Sequence, residues 1–220
     1  ILAATRVAGP KNTIDRVDFA TRSAAQLPAL GVWENDIHLN TVLTAAANGS
    51  AIMAAQADGN LLLYDATADT FTVSRKDAAS LAGAYSASSY NWFVVDNLLL
   101  NSSLVPWVTL DKSGGATSGF AVHNQTGFLT TAVSASSPGV IQRYDLAMGS
   151  AYAPTRMAEA SLLGTEDAAF TRTLAVLADR RALVSLTTSG FTVLAWDYDA
   201  STIPPRISQV VNAADFRVPV

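Results

Sequence analysis

Glu34, Asp36 and His38 bring two carboxylates and an imidazole into one short run. In an extended segment their i, i+2, i+4 spacing puts all three on one side. That is the disposition acid–base work or a hard cation would use. Oxygen donors suit Ca²⁺, and Asn97 and Asn124 could complete a set with Glu34 and Asp36 drawn from other parts of the chain. No motif links these residues, and a solvated loop anchored by Trp33 accounts for the same run. Nucleophilic catalysis has little to build on. The only histidines are His38 and His123, Ser118-Gly119 and Ser189-Gly190 read as turns, and no Gly-x-Ser-x-Gly is present. Gly114-Gly115 lacks the Gly-Lys-Thr sequel of a phosphate cradle. The sequence therefore assigns no catalytic and no cofactor-binding residue, and leaves a metal site open.

Two further groups of side chains have a chemical reading beside a structural one. Trp33, Trp92, Trp107 and Trp196 could stack on sugar rings where exposed. In sheet-rich proteins an indole more often packs inside with its N–H satisfied. Asn48-Gly49-Ser50, Asn101-Ser102-Ser103 and Asn124-Gln125-Thr126 match the N-glycosylation acceptor pattern. Such triplets arise often by chance in an Asn/Ser/Thr-rich chain, although all three fall at expected turns.

The elements that would hold these residues are strands. In Asn48–Arg75 the apolar run Ala51–Ala55 meets Asp58-Gly59-Asn60. Leu61–Tyr64 then leads into a polar corner at Asp65–Asp69, and Thr70–Val73 follows. Asp-Gly and Gly-Asn between apolar runs signal a hairpin, because Gly and Asn tolerate positive φ. Short, continuous apolar runs suit strands buried on both faces. The unit reads as one antiparallel meander.

The same grammar recurs. The first unit, Ile1–Leu27, has strands near Ile1–Val7 and Thr13–Phe19 and a corner at Val17-Asp18-Phe19. The second carries the corner Tyr64-Asp65. A third runs Tyr85–Asp111 with strands Trp92–Leu100 and Leu104–Leu110, and a fourth runs Gly127–Met157 with the corner Tyr144-Asp145. The fifth, Phe170–Ala200, ends at Tyr198-Asp199. Taking Val17, Tyr64, Val108, Tyr144 and Tyr198 as equivalent points gives an irregular period of roughly 36–54 residues, which brackets a four-stranded propeller blade. The expected fold is all-β: a β-propeller, or part of one, of about five meander units, with a β-sandwich as the alternative. Asp77–Tyr85 could make a helical turn or two. Asp167–Leu177 reads either way, with its threonines favouring strand. Residues 1–201 form the repeat domain on this reading. Residues 202–220, opening on the stiff Ile203-Pro204-Pro205, are a linker and the start of a following domain.

Composition narrows the function classes. Half of the 220 residues are apolar and 15% are charged, which favours a large core over disorder. A net charge of −4 gives no basic footprint for nucleic acid. The absence of cysteine rules out disulfides and thiolate zinc. No apolar run approaches the ~20 residues of a membrane helix, so membrane insertion is not expected. No signal peptide is visible, and the opening Ile1-Leu2-Ala3-Ala4 has no initiator Met. The expectation is a removed leader or a piece of a longer polypeptide.

Pro205-Arg206-Ile207-Ser208-Gln209-Val210-Val211-Asn212-Ala213-Ala214 resembles the opening of a C-terminal domain carried by many large exported proteins of acidobacteria. The repeats upstream are similar to the propellers that often precede it. The resemblance implies a bacterial protein exported to the periplasm or outside the cell. It implies no activity and transfers no functional residue. The function expected is a non-catalytic binding or scaffolding module whose partners are protein: other parts of the same polypeptide, or other copies. One alternative is a divalent-metal-dependent hydrolase of the lactonase type, with Ca²⁺ on the central axis. A carbohydrate-binding propeller is the other. An axial ion would favour the enzyme, and an aromatic platform between blades would favour sugar binding.

Overall fold

The computed structural model describes residues 1–5, 11–27, 35–88, 92–112, 115–132, 139–146, 155–159, 169–177, 181–187, 190–195 and 210–211. Among them there is no helix, and the strands form five sheets. The second sheet shows the plan. β4 (Thr41–Ala45), β5 (Ala51–Gln56), β6 (Leu61–Asp65) and β7 (Thr70–Arg75) pair in sequence order, each antiparallel to the next. Gly59, with φ 94°, turns β5 into β6 as Asp-Gly requires, and a Cβ there would sit 1.9 Å from the Ala78 carbonyl oxygen.

Three more sheets repeat the plan. The third holds β8 (Gly83–Ala87), β9 (Phe93–Val95), β10 (Leu98–Leu100) and β11 (Pro106–Thr109). The fourth holds β12 (Ala116–His123), β13 (Thr126–Ala132), β14 (Gly139–Asp145) and β15 (Thr155–Glu159). A short β16 (Phe170–Thr171) precedes the fifth: β17 (Leu174–Leu177), β18 (Ala182–Thr187), β19 (Gly190–Ala195) and β20 (Val210–Val211). The first sheet has only β1 (Leu2–Ala4), β2 (Ile14–Asp18) and β3 (Ser23–Gln26).

Continuous apolar runs are required in the second, third and fourth sheets because each of them packs between two others. Along β5 and β6, Met53, Ala55, Leu61 and Leu63 pack with Phe93, Val95 and Leu100 of the third sheet. Their alternates Ala54, Leu62 and Tyr64 pack with Ile14 of the first. Val94 and Leu99 meet Phe120, Leu129 and Tyr144, while Phe128 and Ile141 meet Leu183 and Leu194. Four apolar clusters thus glue five successive sheets. Among the described residues none joins the fifth sheet to the first. The first strands β4, β8, β12 and β17 lie side by side along the inside. This is a propeller, and a sandwich would instead pair two sheets face to face.

Several expectations need correction. Trp92–Leu100 is not one strand: Asp96, at φ 54°, and Asn97 turn β9 into β10. Val108 consequently lies in the fourth strand of its sheet. The true counterpart of the Asp65 corner is Asn101, whose Oδ1 accepts from the amides of Ser103 and Val105. The fourth unit begins earlier than Gly127, because β12 is its inner strand. Ser118-Gly119 is not a turn but a bulge within β12, and the closeness of Leu174 N, 2.7 Å from an added Cβ, explains the glycine. Asp77–Tyr85 forms no helix: its first part links β7 to β8, and Gly83–Tyr85 already belong to β8. β16 pairs parallel with β8, and Phe170 stands edge-on to Tyr85, 6.1 Å between ring centroids. Beyond residue 201, Val210-Val211 ladder onto β19 through Phe191 and Thr192 and give the fifth sheet its outer strand.

Candidate functional site

The meander assigns each loop to one of two faces. Alternating strand directions place the turns after first and third strands on one face. The turns after second strands and the links between sheets lie on the other. Asp36 and His38 lie in the link to β4, and Asn97 lies in the turn after β9, so these share a face. Asn124 follows β12 and lies on the opposite face. A cation held jointly by Asp36, Asn97 and Asn124 is therefore incompatible with the topology.

Each of these candidates has a local partner. Asp36 Oδ2 is 3.5 Å from Lys11 Nζ. His38 Nδ1 accepts from the Asn40 amide at 3.0 Å. Asn97 Nδ2 donates to the Leu110 carbonyl at 2.6 Å and so pins the end of β11. Among the described residues no three His, Asp or Glu side chains gather as a metal site. Glu34, Trp33, Trp196, Tyr198, Gly114, Ser189 and Pro28 lie outside the described residues. Ser118 is fully buried, and its hydroxyl shares hydrogen bonds with those of Thr130 at 3.0 Å and Thr173 at 3.1 Å. That network ties β12 to β13 and to the entry of β17, and it holds no histidine.

The face bearing the first- and third-strand turns carries most of the distinctive chemistry. All three Asn-x-Ser/Thr triplets, at Asn48, Asn101 and Asn124, fall on it. At the corner of the second sheet, Arg16 of β2 and the Tyr64 hydroxyl both donate to Asp69 Oδ1. The hydrogen bond from Tyr64, then that from Arg16, holds the Asp69 carboxyl below its usual range. Burial, reinforced by Asp69, raises the Tyr64 phenol. Tyr144 occupies the matching place on β14 and donates to the Asp111 carbonyl at 2.6 Å. Tyr198, the third member of that expected set, falls outside the described residues.

Beside Tyr144 an open cleft of about 490 Å³ is lined by Asn124, Gln125, Thr126, Arg143 and Asp145. Asn124 Nδ2 donates to His123 Nε2 at 3.0 Å. Burial, then the nearby Arg181 charge, lowers the His123 pKa and favours the neutral ring that accepts this bond. The cleft offers amides, a guanidinium and a carboxylate. These suit hydrogen-bonded recognition.

The same face ends at an aromatic pair. Trp92, entering β9, and Trp107, in β11, stand 5.4 Å apart at 60°. Trp92 is partly buried against the cluster between the third and fourth sheets, while Trp107 is 46% exposed. The sequence marked both indoles without separating the buried one from the exposed one. Its signal was Trp107 beside Pro106 in a strand, since proline marks an edge strand.

No protein-family model matches the chain, and no curated protein matches it. Solved structures do. The β-propeller domain of Cps50 (Swd1) from Myceliophteria thermophila is similar over 97% of this chain, with 13% identity and a TM-score of 0.63. U3-55K is similar over 93% at 9% identity and a TM-score of 0.62, and the RRP9 WD40 repeats over 93% at 10% and 0.59. The chain spans 70% of the length of the first and 58% of each of the other two. At such identities the likeness is one of architecture, and it agrees with the sheet order and the inter-sheet clusters: the chain has the all-β fold of a β-propeller.

Proposed function

We propose that this propeller is a non-catalytic binding and scaffolding module, working without a cofactor inside a larger exported protein or assembly. The inner edge of β1, which no strand pairs among the described residues, carries the reading. The β2–β3 corner matches the β6–β7 corner bond for bond, so β1 corresponds to β5, and a counterpart of β4 is missing from the first sheet among the described residues. Ile1 and Val17 exchange both backbone hydrogen bonds. By antiparallel alternation the N–H and C=O of Leu2 and Ala4 then point away from β2. An edge of that kind is a template for another strand. The run Pro205–Ala214, with its resemblance to a domain of exported proteins, supports an extracellular or periplasmic setting. Rigid sheets carrying polar loops on one face suit protein recognition.

Sedimentation of the 220-residue chain tests this. The chain is expected to run larger than its 23.0 kDa monomer. Ala4→Pro removes an outward N–H without touching the β1–β2 ladder, and it should restore the monomer. A wild-type monomer whose Leu2 and Ala4 amides exchange freely with solvent would sink the reading.

A further inference from the structure

We infer that Trp107, backed by Trp92, is a stacking subsite for a neutral saccharide. Surface indoles are unusual because the ring loses most of its apolar contact when left in water. Trp107 is nearly half exposed, yet its ring packs against that of Trp92, 5.4 Å and 60° away. A held, exposed indole offers a flat apolar face at little entropic cost, and the C–H face of a pyranose is its shape complement.

The surroundings choose between ligands by charge. From Asn97 to Leu110 the chain reads NLLLNSSLVPWVTL, without a single ionisable side chain. Flanking Asp96 is occupied by Lys112 Nζ at 2.7 Å and Thr117 Oγ1 at 2.7 Å, in the turn on the other face. Within that run a charged peptide, a phosphate or a uronic acid would find no counter-charge. A neutral polyol would find hydroxyls, from Ser102 and Ser103 in the β10–β11 turn and from Thr109 at the end of β11. Leu110 N donates to Asn97 O, so alternation turns the amide and carbonyl of Thr109 away from β10, along an edge that no described strand pairs. The platform sits where the third and fourth sheets meet, because Trp92 packs on the cluster they share. Two rigid sheets thereby fix the ring that a sugar would meet.

The test uses the full chain with cellotetraose, chitotetraose and xylotetraose as neutral probes, read by tryptophan emission and by calorimetry. At least one should bind. Trp107→Ala should weaken that binding by about tenfold or more, equivalent to ~1.4 kcal/mol. Trp107→Tyr, which keeps an aromatic face, should retain most of it. Ala4→Pro, at the unpaired edge of the first sheet, should leave it unchanged, so this site and the strand-accepting edge fail separately. Three results would overturn the assignment: no binding by any probe, equal affinity in Trp107→Ala, or a Trp107→Ala effect confined to sedimentation. The last would identify the platform as a protein contact.

Discussion

The first and second sheets turn their last corner with the same hydrogen bonds and otherwise share little. Asp18 Oδ1 accepts from the amides of Ala20 and Thr21, and Asp65 Oδ1 accepts from those of Thr67 and Ala68. Arg22 and Asp69 follow at the same place with φ of 53° and 56°. Yet β3 is exposed at every residue, whereas β5 and β6 are buried at nearly every one. The corner is local chemistry, satisfied within one hairpin. Burial is not local. Among the described residues the second sheet has apolar neighbours on both sides, and the first has one.

The largest expected effect follows from that asymmetry. Met53→Ala, at a fully buried position facing the third sheet, should cost about 2–5 kcal/mol in denaturant unfolding. Val17→Ala, on partly exposed β2, should cost about 1 kcal/mol or less. Equal losses would mean that the first sheet is as enclosed as the second. Next come two turns within one sheet. Gly59→Val should cost about 2–4 kcal/mol, because positive φ and the Ala78 carbonyl both oppose a side chain. Gly49→Ala shares only the positive φ, with nothing within 4 Å of its Cβ, and should cost about 1 kcal/mol.

Asp18→Ala and Asp65→Ala should each lower stability slightly, and equally, if the corners are as independent of burial as their geometry says. A clear inequality would show that neighbouring sheets tighten one of them. The smallest effect is electrostatic. Asp18 is lowered by the Thr21 and Ala20 amides, and Asp69 by the Tyr64 hydroxyl and then Arg16. A folded pKa below the unfolded value contributes stability that is present above the ordinary carboxylate range and lost as pH falls through the folded value. Carboxyl titration by NMR should find both groups low. Arg16→Gln should raise Asp69 alone, and movement of Asp18 as well would contradict the separate causes.

Much of the fold was legible because each blade is written in local signals. Asp-Gly turns, aspartates at corners and short apolar runs mark strands within one hairpin's reach. They placed Tyr64 and Tyr144 near the ends of corresponding strands, which prove to be the third of their sheets. The register failed in the third unit for a physical reason. Asp96-Asn97 turns as tightly as Asp-Gly, but without a glycine to announce it, and one missed turn shifts Val108 by a whole strand. The candidate site was the least legible part. Asp36, Asn97 and Asn124 are equally plausible oxygen donors on paper, and only alternating strand direction places them on opposite faces.

By itself the chain determined that it would be all-β, where most strands turn, and that its blades would repeat, because those properties depend on contacts a few residues apart. Tertiary structure decided the rest: which face each loop occupies, that Trp92 is half-buried and Trp107 exposed, that β16 runs beside β8, and that among the described residues β1 pairs only with β2. Each of these depends on segments distant in sequence, and the residue types at either end carry no record of which partner they will meet.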